Sequence, residues 1–206
     1  MKIVLISNNE LATNCYFEDE SSIENKKKYR PLSIVGEKLA GKLAKEEILS
    51  DVERIYSDNS NAALSSAKYL ADKLNQDIIV NKKIYDCKIG DLKGKTIKML
   101  SYFQEHDFSF KLVGGESLNE CGTRIASFIR KAIDEGYDSI AVYLPKRCIM
   151  AFLLSHTETG YNLDERLILS YNDEVIMGNT DEQVDTFILQ YRDKRLIGIK
   201  TYKMED

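Results

Sequence analysis

The sequence lacks any apolar run approaching the ~20 residues that a membrane-spanning helix requires, so no spanning segment is expected. Nothing in it resembles a signal peptide, and none is expected: only four strongly apolar residues, Ile3 to Ile6, separate Lys2 from Ser7, against an h-region of ~7–15. A cytoplasmic protein is the expectation. No Cys-x-x-Cys pair occurs, and Cys15, Cys87, Cys121 and Cys148 are widely scattered, which favours reduced thiols over a disulfide framework or a zinc site. Positive charge is not in excess either; the net charge of -4 argues against nucleic acid as the main partner. Linkers, internal repeats and low-complexity stretches are also missing, so a single domain over residues 1–206 is expected, large enough for a sizeable core.

What is present alternates between strand and helix signals. Ile3 to Ile6 read as a strand buried on both faces, and the polar residues from Ser7 to Asn14 then leave its carboxyl end, where open α/β sheets place ligands. Phe17 to Arg30 carry an acidic cluster and then a basic one. This reads as a solvated loop, with an anion-binding patch as the second reading. Ser33 is positioned to cap a helix whose stripe is Val35, Leu39, Ala40 and Leu43. A second strand is read at Val52 to Ser57, a helix from Asp58 to Leu74 and a short strand at Asp77 to Val80. Thr96 to His106 is a modest amphipathic helix. Ser117 and Glu120 make a capping box that opens a long helix with Leu118, Cys121, Ile125, Phe128 and Ile129 on its apolar face, closed at Gly136. Asp138 to Leu144 is the last buried strand before a helix through Cys148, Met150, Phe152 and Leu153. Thr186 to Tyr191 and Leu196 to Tyr202 are read as strands pairing across Arg192 to Arg195.

In order and spacing, several of these stretches resemble the histidine phosphatase (phosphoglycerate mutase-like) superfamily, over roughly Met1 to Leu154. Glu10 and Asn14 match the end of the family's Arg-His-Gly-Glu-Thr and the Asn that follows it. Pro31, Leu32, Ser33 and Gly36 match its Pro-Leu-Ser/Thr-x-x-Gly; Tyr56, Ser57, Ala63, Ser66 and Ala67 fall in register with its second strand and helix. Gly90 and Gly94 fit its acid loop, and Gly114-Gly115-Glu116-Ser117 reproduces its Gly-Gly-Glu-Ser. The resemblance implies a three-layer α/β/α sandwich around a mostly parallel sheet.

The resemblance also shows what is degenerate. Ser7, Asn8 and Asn9 stand where the family has Arg-His-Gly, Ala62 where it has a phosphate-gripping Arg, and Pro145 where it has a second His. Asp86 occupies the place of the general acid, one methylene shorter, with an ordinary surface Asp as the alternative reading. The family's chemistry needs a neutral imidazole nitrogen that attacks phosphorus. An amide such as that of Asn8 cannot replace it, because its nitrogen lone pair is delocalised into the carbonyl. The resemblance therefore implies a pseudophosphatase without catalytic residues, cofactor or metal, binding a ligand or a protein partner through the altered pocket. The alternative is a phosphatase or mutase of altered mechanism using Asp86. Asn14, Lys146 and Arg147 are the expected ligands for a weakly bound phosphate or other anion.

Other readings are weaker. Gly90 to Thr96 resembles a nucleotide-binding P-loop, but Ile89 sits where the first glycine belongs. A cysteine phosphatase needs an Arg six residues after its Cys, and those positions hold Ser21, Lys93, Ser127 and Leu154. His106 and His156 are far apart and fall on expected helices, so neither is read as a metal ligand.

Overall fold

The computed structural model describes residues 1–7, 11, 28–178 and 186–204. Asn8, Asn9, Glu10 and Asn14, and the charge clusters read between Phe17 and Lys27, lie outside the described residues.

The elements in chain order are β1 (Lys2–Ile6), α1 (Ile34–Leu43), β2 (Arg54–Ser57), α2 (Asn61–Leu74), β3 (Ile78–Val80), α3 (Ile97–His106), α4 (Leu118–Asp134), β4 (Ser139–Tyr143) and α5 (Lys146–Leu153). They are followed by β5 (Glu158–Tyr161), β6 (Leu167–Tyr171), β7 (Glu174–Met177), β8 (Thr186–Arg192) and β9 (Arg195–Tyr202). The main sheet runs β3-β2-β4-β1-β8-β9, with β1 to β4 parallel and β8 antiparallel to both β1 and β9. A separate antiparallel sheet is ordered β5-β6-β7.

Three layers follow from the alternation of side chains along each strand. On β1, Ile3 and Leu5 face a core shared with Ile125 and Phe128 of α4 and Ile149 and Phe152 of α5. Val4 and Ile6 face the opposite core, with Leu43 of α1 and Ala63, Ala67 and Leu70 of α2. All four strand residues have no exposed surface, so each contributes ~1.5–3 kcal/mol of burial. This is why β1 reads as an unbroken apolar run.

Local signals explain the boundaries. Ser33, Ser60 and Thr96 each accept a backbone N–H through the side chain at the start of α1, α2 and α3. The Ser117–Glu120 capping box is formed in both directions, and Gly136 takes φ +82° just beyond α4. The β8–β9 hairpin turns through Asp193 and Lys194, both at positive φ, the geometry of a two-residue turn that matches strand twist. Two readings are corrected. α2 begins at Asn61 rather than Asp58, because Ser60 supplies the cap and Asp58 remains at the strand end. Glu158–Tyr161 forms a strand that the sequence did not announce; three of its four residues are exposed, so it carries no alternating apolar pattern.

Candidate functional site

β1, β2 and β4 are parallel neighbours, so their carboxyl ends open on one edge of the sheet. Ile6 lies opposite Tyr143, and the Leu144 amide donates to the Ile6 carbonyl at 3.1 Å. Ser7, at the end of β1, is buried, and β4 continues through Leu144 to Pro145. Asp58 follows β2, and its amide donates to the Tyr143 carbonyl at 3.0 Å. Beside this edge lies a cavity of about 500 Å³, lined among others by Asp58, Ala62, Asp86, Cys87, Pro145 and Lys146, with Lys28 and Lys88 also on its wall. Three positions flagged from sequence as degenerate, Ala62, Asp86 and Pro145, therefore share one cavity. Ser7, the fourth such position that is described, follows β1 beside β4 and is not among the residues lining the cavity.

The two expected anion ligands that are described separate. Lys146 is on the cavity wall. Arg147 turns the other way: its guanidinium donates to Ser101 Oγ at 2.9 Å and to Gln104 Oε1, both on α3. Arg147 is thus a strut between α5 and α3, although the charge of Asp86 on the cavity wall reaches its guanidinium.

The loop bearing Asp86 is held by the Gly-Gly-Glu-Ser segment. Arg124 of α4 makes a bidentate pair with Glu116, at 2.8 and 2.7 Å, and its remaining nitrogen donates to the carbonyls of Lys83 and Tyr85 at 2.8 and 3.1 Å. The Glu116 amide donates to the Lys88 carbonyl at 2.9 Å. Backbones approach so closely here that side chains are excluded: a Cβ on Gly90 would lie 2.5 Å from the Gly115 nitrogen, and one on Gly115 would lie 2.7 Å from the Ile89 carbonyl oxygen. Gly90 is accounted for by this contact. Since Gly90 follows an irregular loop rather than a strand, the context of a nucleotide-binding P-loop is missing among the described residues.

Asp58 is the site residue that sequence reading missed. It is 2% exposed and accepts the Ser60 amide at 2.6 Å. Burial pushes its carboxyl up, hydrogen bonds from Ser60 pull it back, and the charge of Asp86 raises it further, leaving it above its ordinary value. A native pKa above the unfolded one means that stability falls as pH rises through the interval between the two. Asp58→Asn, which keeps the acceptor oxygen, is expected to raise Tm at pH 7 by a few degrees, at ~2–4 °C per kcal/mol for a chain of this size, and to show no gain near pH 3.5. Thermal denaturation at the two pH values decides it; an equal or lower Tm at pH 7 would show that the carboxylate carries no penalty.

The histidines are elsewhere. His106 ends α3, with its ring stacked on Tyr161, and the His156 ring packs on Phe152, where burial lowers its pKa. The expectation of separate reduced thiols is corrected. Cys87 and Cys121 are joined in a disulfide, and the Cys148 sulfur lies 4.0 Å from the first and 3.7 Å from the second. Spacing along the chain gives no hint of this, because the three come from a loop and two helices.

Comparison with known proteins gives one family. A model of the histidine phosphatase superfamily (branch 1) matches residues 24–184. No curated protein matches the sequence. Among solved structures, the chain is similar to a mycobacterial glucosyl-3-phosphoglycerate phosphatase in complex with inorganic phosphate, at TM-score 0.67 and 14% identity over 98% of this chain and 95% of the other. It is also similar to Bacillus stearothermophilus YhfR, at TM-score 0.66 and 14% identity over 95% and 94%. A third is the alpha-ribazole phosphatase of Shigella flexneri, at TM-score 0.63 and 12% identity over 95% and 93%. At these identities the likeness is one of fold.

Proposed function

Since this chain belongs to the histidine phosphatase superfamily, we propose that it is a member without phosphotransfer chemistry, which keeps the cavity as a binding site for a small phosphate-bearing or otherwise anionic ligand. One observation carries the first half: the whole sequence has two histidines, and both are packed on aromatic rings away from the cavity. No imidazole is left to attack phosphorus, and Pro145 lines the wall where the family's second His would stand. The direct test is incubation with a labelled phosphate donor, followed by acid and base treatment. No acid-labile label is expected, and a phosphohistidine would overturn the reading.

Three lysines, Lys28, Lys88 and Lys146, against Asp58 and Asp86 on the same wall support the second half. The phosphatase that resembles this chain has been solved with inorganic phosphate. With ~1–3 charge-assisted bonds, phosphate is expected to bind in the millimolar range and to weaken with salt. Lys146→Ala should weaken it about three- to tenfold in an NMR titration at constant ionic strength, whereas Arg147→Ala should weaken it less because that guanidinium is hydrogen-bonded to α3. Saturation unaffected by the Lys146 change would place the anion elsewhere; no saturation at all would favour a protein partner. A cytoplasmic location belongs to the same proposal, supported by the fact that no described helix is long and apolar enough to cross a membrane.

A further inference from the structure

Cys87, on the cavity wall, belongs to a second chemical feature that an anion-binding role leaves unused. Cys87, Cys121 and Cys148 are all buried, and their sulfurs lie within 4.8 Å of one another. We propose that, when the Cys87–Cys121 bond is reduced, these three sulfurs form a trithiolate site for a soft monovalent d10 cation, Cu(I).

The geometry points to a metal in three ways. A metal–thiolate bond of about 2.3 Å sets its sulfurs roughly 3.8–4.0 Å apart in a tetrahedral or trigonal array. The Cys121–Cys148 and Cys87–Cys148 separations are already 3.7 and 4.0 Å, so only the bonded pair has to open. Two helix N-termini and one guanidinium face the sulfurs, against burial and the carboxylates of Asp86, Asp58 and Glu116, which push the Cys148 thiol up. Cys148 is the third residue of α5 and Cys121 the fourth of α4, so each sits at a helix N-terminus, and Arg124 donates to the Cys121 sulfur at 3.5 Å. This offsets part of the negative charge of clustered thiolates. Finally, among the described residues no histidine or carboxylate joins the trio. Structural zinc takes four ligands, whereas Cu(I), which also favours thiolates, is satisfied by three.

The chemistry balances simply. A dithiol reductant gives two electrons and two protons to the Cys87–Cys121 bond and leaves as its own cyclic disulfide. Cu(I) then forms three Cu–S bonds and displaces a proton from each thiol that ionises, with no change in its oxidation state. The disulfide and the copper site are thus mutually exclusive forms of the same residues. Because Cys87 lies between Asp86 and Lys88 on the cavity wall, exchange between the two forms would be felt at the anion site. The copper proposal itself does not depend on anion binding.

The full chain, reduced with dithiothreitol and desalted without oxygen, is titrated with Cu(I) against a chromophoric bidentate Cu(I) chelator. One Cu(I) per chain is expected, with X-ray absorption showing three sulfurs at about 2.2–2.3 Å. Cys148→Ser should lower the affinity at least ~10-fold and leave two sulfurs on the metal, with Cys148→Ala and circular dichroism separating ligand loss from misfolding. Cys15→Ser should change nothing. The proposal is overturned if the chelator strips the protein, if Cys148 substitution has no effect, if Zn(II) is retained more tightly than Cu(I), or if the Cys87–Cys121 bond survives excess dithiothreitol in the folded protein.

Discussion

Given p-nitrophenyl phosphate or a phosphoglycerate, the purified protein will release phosphate at the uncatalysed rate, at least ~10⁶-fold below a relative with its nucleophile intact. The size of the loss follows from what is missing together. Catalysis in this family places an imidazole in line with phosphorus and neutralises the equatorial oxygens with fixed positive charge. Here the sequence offers Asn8 at the nucleophile position, and the structure puts Ala62 and Pro145 on the wall where charge would be needed. Groups that act as a unit fail as a unit, so Asp86 alone recovers little as an acid without an attacking group. The assay must separate this protein from a trace contaminant, and Asp86→Asn does so. Residual turnover equal in wild type and variant belongs to a contaminant. Turnover that is saturable and abolished in the variant would instead establish an altered mechanism built on Asp86, the alternative reading of the sequence.

Arg124→Ala is expected to cost ~3–5 kcal/mol, the loss typical of breaking a largely buried ion pair from one side. At ~2–4 °C per kcal/mol this lowers Tm by roughly 6–20 °C. The reason is the number of groups stranded at once. Glu116 loses both of its guanidinium bonds, and the carbonyls of Lys83 and Tyr85 lose their donor. The pair is well covered, with side chains 22% and 14% exposed, so water does not simply take over. Arg124→Lys should recover only part of the loss, since an ammonium cannot span the carboxylate and two carbonyls in the same fork. The effect should reach the site: phosphate affinity in the folded fraction should fall too, because the loop from Lys83 to Lys88 puts Lys88 on the cavity wall. A drop of under ~1 kcal/mol in chemical denaturation would show that the loop is held by its glycine contacts instead.

Much of this was legible in the sequence, for identifiable reasons. Ile3 to Ile6 announced a strand buried on both faces, and Ser117 with Glu120 announced a helix start, because both signals are local and the fold uses them as written. The hairpin of β8 and β9 was readable from alternation around a charged turn. What escaped depends on contacts between distant segments. Arg147 looks from the chain like a phosphate ligand, being next to Lys146 after a strand end, and nothing local shows that its guanidinium bonds to Ser101 and Gln104 on α3. Asp58 was absorbed into a helix because nothing local distinguishes a strand-end carboxylate from a helix-start one. The cysteines looked scattered at separations that pattern rules treat as unrelated, and α4, α5 and the Asp86 loop brought three of them together.

The place of β1 in the sheet also bears on how the protein is made. Its residues, 2–6, pair with residues 139–143 on one side and 186–190 on the other. At ~5–20 residues per second of synthesis, the first strand waits roughly 7–27 s before either partner has been built. Through that interval an apolar stretch of high β-propensity has no sheet to join, and its eventual pairings close some of the longest loops in the chain. A nascent chain of this topology therefore leaves Ile3 to Ile6 uncovered by its own sheet until β4 arrives.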